Sequence, residues 1–138
     1  MGFWTKLLGL EPPELPVHVD DENFEREILR SKLPVLLDAW SPGCVPCKHL
    51  EPIVIRLTSE YRGRVKVAEL GVSRAPRAAR RLRIGGTPTV VYLRGGRELE
   101  RAVGLHGELY HRQSIEALLL DEAPAAPADE EAAPLRNA

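Results

Sequence analysis

Residues 35–48 constrain this chain most, because a short apolar strand leads directly into a Cys-x-x-Cys motif. Residues 35–37 are apolar, and the Ser-Pro-Gly of residues 41–43 is typical of a turn. Cys44 stands at the predicted start of a helix, where unpaired backbone N–H groups and the positive dipole end favour a thiolate. Cys47 lies one turn later on the same face. This spacing suits a reversible disulfide.

The cysteine count narrows the chemistry of this motif. The chain has 138 residues and 43% hydrophobic content, enough for one domain with a real core. Both of its two cysteines belong to the motif, which leaves none for a structural disulfide framework. The pair is therefore either redox-active or half of a metal site.

Charge and hydropathy argue against two classes of partner. The formal net charge of −1 provides no bulk attraction to nucleic acid or to a membrane surface. The apolar run in residues 1–10 is too short for a signal peptide, and no stretch reaches the roughly 18 apolar residues of a membrane span. We expect a soluble cytoplasmic protein with no nucleic-acid or membrane partner.

Strand and helix patterns alternate between residues 17 and 120. We expect residues 1–16 to form an extension that packs loosely on the domain, with a partner or membrane anchor as the alternative, and residues 121–138 to form a disordered Ala/Pro/acidic tail. The predicted strands are residues 16–19, 35–40, 65–72, 89–93 and 98–103, with the second and third parallel. The predicted helices are residues 20–33, 44–61 and 74–83, and a closing helix that ends near Leu120 and packs through Leu109, Ile115, Leu118 and Leu119.

These elements and motifs resemble the thioredoxin family over residues 17–120. The matching features are the strand, Trp40 and Cys-x-Pro-Cys-Lys of residues 35–48, the helix proline Pro52, the Thr-Pro-Thr of residues 87–89, and the glycines Gly95 and Gly104. The resemblance implies an α/β thioredoxin fold, with a central mixed sheet of about five strands and helices on both faces. It also implies disulfide-exchange activity and a cis peptide bond before Pro88.

The residues themselves indicate how a dithiol would work. The thiolate is the attacking species, so Cys44 is the predicted nucleophile and Cys47 then attacks Cys44 to release the product. Cys47 must lose a proton in a dry site and needs a base nearby. Asp38 is the candidate, because burial in an apolar strand raises the pKa of a carboxyl group. These three residues are the predicted catalytic set.

The substrate is expected to bind around the motif and the proline loop. Pro88 would place the backbone of Thr87 where a substrate segment can pair as an extra strand. The remaining predicted substrate contacts are Trp40, Val45 and Pro46, and Lys48 and Glu69 are predicted to modulate the site.

Several other interpretations stay open at this point. The motif would be half of a zinc site if His49, His106 or His111 completed it. Asp38 would be structural if it capped a helix or formed a salt bridge, and Trp40 would be structural if it only filled the core. The arginines at positions 74, 77, 80, 81 and 83 form either a solvated face or a docking patch.

Three residues depart from the family pattern. Gly43 stands where the family usually has Trp, and Val45 where it has Gly, so substrate recognition and redox poise are expected to differ. Glu69 stands where the family commonly has a Lys near the buried aspartate. If Asp38 and Glu69 share one poorly hydrated space, each charge opposes the other and the pKa of Asp38 rises further.

The sequence thus predicts a monomeric protein disulfide oxidoreductase that acts as a reductant and holds no cofactor. Its partners would be disulfide-containing substrate proteins and a separate electron donor of the thioredoxin-reductase type. The alternative is a non-catalytic interaction module that uses the same fold.

Overall fold

The computed structural model describes residues 2–9 and 12–120. Within them the chain forms four α-helices, one π-helix and five strands. In chain order these are α1 (Gly2–Leu7), β1 (Val17–Val19), the π-helix (Glu25–Leu29), β2 (Val35–Trp40), α2 (Val45–Glu60), β3 (Lys66–Gly71), α3 (Pro76–Arg81), β4 (Thr89–Arg94), β5 (Arg97–Val103) and α4 (Glu108–Leu120).

The five strands form one mixed sheet in the order β1-β3-β2-β4-β5. β1, β3 and β2 run parallel, while β4 is antiparallel to both β2 and β5. The predicted parallel pairing of β2 and β3 is confirmed, with Asp38 directly opposite Glu69. β2 lies at the centre, which explains why its sequence is almost continuously apolar.

Helices cover both faces of the sheet, as the resemblance implies. Because side chains alternate along a strand, Val35 and Leu37 enter one core and Leu36 enters the other. The first core packs against the π-helix and α3, and the second packs against α2 and α4. Asp38 and Glu69 lie on the second face, between the sheet and α2.

The helix expected over residues 20–33 is wrong in length. Only Glu25–Leu29 is helical, and it is a π-helix. The Asp20 carboxylate accepts hydrogen bonds from the N–H groups of Glu22 and Asn23 in the turn before this helix, whose N-cap residue, Phe24, provides no side-chain cap. Ser31 then hydrogen-bonds both the N–H and the C=O of Leu33. Such local side-chain bonds compete with helix hydrogen bonding and end the helix before Pro34.

Two other helix predictions need correction. α3 spans Pro76–Arg81 rather than residues 74–83, because proline favours the first helical position and Arg83 adopts a left-handed φ of 56°. Leu109 was predicted in the core but is 66% exposed. The buried face of α4 consists of residues at helical spacing, His111, Ser114, Ile115 and Leu118.

The extension forms the short helix α1, whose side chains Phe3, Trp4 and Leu7 are exposed. Farther along, Leu15 and Pro16 approach the end of β2. The hairpin between β4 and β5 is confirmed, with both turn glycines, Gly95 and Gly96, at positive φ. The tail predicted for residues 121–138 lies outside the described residues.

Candidate active site

The two cysteines lie where the turn after β2 leads into α2. Cys44 is the N-cap residue of α2 and is half-buried, while Cys47 is 7% exposed. A disulfide joins them, and the backbone N–H of Cys47 donates to Cys44 Sγ over 3.1 Å. The helix start therefore directs an N–H group at the first sulfur, as the predicted thiolate stabilisation requires.

The proline loop lies beside this turn. The Thr87–Pro88 peptide bond is cis, which confirms the prediction. The hydroxyls of Ser41 and Thr87 are 2.6 Å apart and hydrogen-bond the two loops to each other. The carbonyl of Pro88 accepts from the N–H of Gly104 over 2.8 Å, which attaches the loop to the end of β5. Pro88 itself is buried.

Asp38 is a buried carboxyl group in the middle of the sheet. It is 6% exposed, and its Oδ1 accepts no hydrogen bond from any described residue. Burial, and then the negative charges of Glu69 and Glu51, raise the pKa of Asp38 to about 7. The predicted rise is confirmed. Within the described part of the chain, Asp38 begins no helix and forms no ion pair.

Glu69 is held at the rim of the same space. Its Oε1 accepts from Trp40 Nε1 over 2.5 Å, and its Oε2 lies 2.8 Å from Nδ1 of the exposed His18. The Trp40 ring also packs on the backbone of Gly71, where a Cβ atom would come within 3.0 Å of it. Trp40 is therefore both a rim residue and the side chain that fixes one Glu69 oxygen.

A groove of about 460 Å³ opens next to the disulfide. Most of its lining consists of predicted site residues and their neighbours. The lining residues are Leu15, Pro16, His18, Asp38, Trp40, Ser41, Pro42, Gly43, Cys44, Cys47, Lys48, Glu51, Val54, Ile55 and Glu69.

Sequence reasoning missed Glu51, His18 and Leu15. Glu51 follows Cys47 by four residues in α2, and this spacing alone indicates a shared helix face. His18 pairs with Glu69 through the β1–β3 register, which no local pattern specifies. Leu15 reaches the groove only because the chain enters β1 from that side, so no sequence signal pointed to it.

The other predicted site residues lie at the protein surface. Val45, Pro46 and Lys48 are exposed at the start of α2, while Thr87 is half-buried against Ser41. The structure thus brings Asp38 to the groove that both cysteines line. It leaves Val45 and Pro46 outside that groove.

The histidines considered as zinc ligands have other surroundings. His106 stacks on Tyr110, and buried His111 shares a 2.5 Å hydrogen bond with the Tyr92 hydroxyl. Burial, assisted by His106, lowers the pKa of His111 to about 4. Within residues 2–9 and 12–120, no three His, Cys, Asp or Glu side chains are grouped to hold a metal ion.

All five clustered arginines are exposed. Arg77 pairs with Asp21 at 3.6 Å, and Arg81 lies 6.0 Å from the centre of the Phe24 ring. Among the described residues, no helix has the length and apolarity to cross a membrane.

Comparison with known proteins gives a consistent result. Residues 15–117 match the family model described as Thioredoxin. The chain is 45% identical over 78 residues to the thioredoxin of Thiocapsa roseopersicina, covering 56% of this chain and 86% of that protein. It is 33% identical over 98 residues to thioredoxin 1 of a Nostoc species, covering 71% and 92%. It is 34% identical over 104 residues to the bifunctional thioredoxin reductase/thioredoxin of Mycobacterium leprae, covering 75% and 23%.

Proposed function

The chain belongs to the thioredoxin family and is a thiol–disulfide oxidoreductase, and we propose the order in which its residues act. It reduces protein disulfides through a dithiol/disulfide cycle of Cys44 and Cys47. The observation that carries the proposed order is the difference in exposure between the two thiols at the start of α2. Cys44 is half-buried, whereas Cys47 is 7% exposed.

In the first step, the Cys44 thiolate attacks one sulfur of the substrate disulfide. A Cys44–substrate disulfide forms, the substrate S–S bond breaks, and the other substrate sulfur leaves as a thiolate that takes a proton from water. The N–H of Cys47, 3.1 Å from Cys44 Sγ, supports the anionic sulfur before the attack.

In the second step, the Cys47 thiolate attacks Cys44 Sγ: a Cys44–Cys47 disulfide forms, the Cys44–substrate bond breaks, and the second substrate sulfur leaves as a thiolate that takes a proton from water. The Cys47 thiol must first lose its proton, and Asp38 accepts it. Support comes from the groove that both residues line and from the pKa of Asp38 at about 7, which suits proton exchange near neutral pH. Glu69 modulates this base, because its charge opposes ionisation of Asp38. We assign Lys48, exposed at the same groove, a smaller modulating role.

The substrate segment lies across the disulfide and the proline loop. Thr87 offers its backbone beside the cis bond to Pro88, and Trp40, Val45 and Pro46 supply apolar contacts. Gly43, which lines the groove, leaves this rim more open than the Trp usual in the family.

The electron donor is a separate reductase of the thioredoxin-reductase type. The Mycobacterium leprae relative is named for both activities in one chain, which supports a functional pairing of this kind. A monomer working in the cytoplasm remains our expectation for this protein.

Trapping of mixed disulfides tests the order of the two thiols. Cys47→Ser removes the resolving thiol, so this variant should accumulate covalent complexes with substrate proteins on non-reducing gels. Cys44→Ser is the matched control and should trap almost none, because the remaining thiol is buried. Equal trapping by both variants would contradict the assignment of Cys44 as the attacking thiol and Cys47 as the resolving thiol.

Carboxyl carbon-13 titration of the reduced protein tests the Asp38–Glu69 interaction. Asp38 should titrate near pH 7, and Glu69→Gln should lower its pKa because one opposing charge is removed. Glu22→Gln removes the same charge from an exposed residue outside the groove, and it should leave the pKa of Asp38 unchanged. An Asp38 curve near the ordinary value of 3.8 would contradict the assignment.

A further inference from the structure

The groove beside the disulfide combines apolar walls with three carboxyl groups. Leu15, Pro16 and Ile55 are among its apolar lining residues, and Asp38, Glu51 and Glu69 provide the negative charge. An aliphatic stem that ends in a cation fits both parts of such a surface. Lysine and arginine side chains have this form.

We propose that this groove binds a lysine or arginine side chain of the substrate protein, close in sequence to the cysteine that Cys44 attacks. The inference rests on the proposed function and adds a substrate preference to it. The cation would lie among Asp38, Glu51 and Glu69, while the stem packs on the apolar lining.

Asp38 distinguishes this site from an ordinary acidic surface. It lines the groove although it is only 6% exposed, and its Oδ1 has no hydrogen-bond donor in the described part of the chain. A buried carboxyl oxygen without a donor is costly, and a bound ammonium or guanidinium group would satisfy it. The volume of about 460 Å³ is within the range of small-ligand pockets.

The groups around Asp38 leave its charge uncompensated. On β3, Glu69 is engaged by Trp40 and by His18 of β1. On α2, Glu51 adds a second negative charge, and the exposed Lys48 forms no ion pair with any described residue. Among the described residues that line the groove, the two cysteines Cys44 and Cys47 complete the titratable groups. The family lysine that would stand near the aspartate is replaced here by Glu69 itself.

A bound cation would also improve catalysis. A positive charge next to Asp38 favours its anion and lowers its pKa below the present value of about 7. The anion is the form that takes the Cys47 proton, so a basic substrate would promote its own release. By reciprocity, loss of the Asp38 proton strengthens cation binding, and the preference for basic substrates should grow as pH rises through about 7.

The test uses symmetric disulfides of synthetic decapeptides that carry one central cysteine. Lysine, glutamine or glutamate is placed in turn at each of the three positions on either side of the cysteine. The rate of peptide-thiol release by the reduced full-length protein is divided by the rate with dithiothreitol, which removes effects on the leaving thiol. At one or two positions the lysine peptide should react about tenfold faster than its glutamine partner. The advantage should shrink at high ionic strength and at acidic pH.

Variants then locate the contact. Glu51→Gln and Glu69→Gln should each reduce the lysine-to-glutamine rate ratio, whereas Glu22→Gln changes the net charge equally and should not. Equal normalised rates at every position, or faster glutamate peptides, would overturn the inference. A lysine advantage that survives unchanged in both groove variants would also overturn it, since the cation would then bind elsewhere.

The result separates this inference from the proposed function. If the glutamine peptides are reduced but lysine confers no advantage, only the groove assignment fails. If the dithiol protein reduces none of the peptide disulfides, the result contradicts the proposed order of reaction itself.

Discussion

Asp38 is an acidic residue placed where the fold otherwise buries hydrocarbon. β2 is apolar on both faces except at this position, and the neighbouring strand sets Glu69 directly opposite. Glu51 approaches from α2. The three carboxyl groups make ionisation of Asp38 costly at neutral pH, and this cost suits the residue to the proton exchange that we propose for it.

The same cost predicts a pH-dependent stability difference for Asp38→Asn. The pKa of Asp38 is raised from 3.8 to about 7 on folding, so its protonated form stabilises the native state below pH 4, and this contribution is lost as pH rises through 7. The loss amounts to at most about 4 kcal/mol. Urea unfolding of reduced protein at acidic and at alkaline pH should show the wild type losing stability relative to Asp38→Asn. Parallel stability profiles of the two proteins would contradict the prediction.

At the scale of elements, two contacts between segments stand out, one at the site and one at the β4–β5 hairpin. The Ser41–Thr87 hydrogen bond connects the β2–α2 turn to the proline loop. On the far side of the sheet, the β4–β5 turn packs on the end of the π-helix. There Gly96 has a φ of 80°, and a Cβ atom at this position would meet the Leu29 carbonyl oxygen at 2.8 Å.

We therefore expect Gly96→Ala to destabilise the protein by about 2–4 kcal/mol, from left-handed backbone strain plus the collision with Leu29. Gly95→Ala is the matched control, because its φ of 62° imposes similar strain but the position has open space. Gly95→Ala should cost about 1–2 kcal/mol. Denaturant unfolding measures both values, and an equal loss for the two variants would show that the close approach to Leu29 carries no energy.

At the scale of the whole molecule, side chains between residues 17 and 120 form a core on each face of the sheet. Residues 121–138 are rich in Ala, Pro and acidic side chains and offer little apolar surface to bury. Deleting them should leave the melting temperature and the rate of disulfide reduction unchanged. Calorimetry of the truncated and full-length proteins checks this, and a fall of several degrees would mean that the tail docks on the domain.

The family resemblance implied the cis peptide bond before Pro88. The sequence alone determined the strands, the helix that starts at the motif and the order of the two thiols in the chain. Local chemistry controls these features: an apolar run favours β2, a helix start follows Cys44, and glycine pairs form the hairpin turn. The family pattern also indicated that Asp38 and Glu69 lie close together, and the parallel register of β2 and β3 sets them opposite each other.

Only the tertiary structure decided what surrounds Asp38. The helix ends, in contrast, depend on local features that hydrophobic periodicity does not show, namely the side-chain bonds of Ser31 and the place of Pro76 at the start of α3. The groove combines Leu15 and His18, from β1 and the residues before it, with Glu51 of α2 and Glu69 of β3, and these are three separate segments. Contacts between distant segments depend on strand order and on the path of the chain, and a pattern read along one segment carries no information about either.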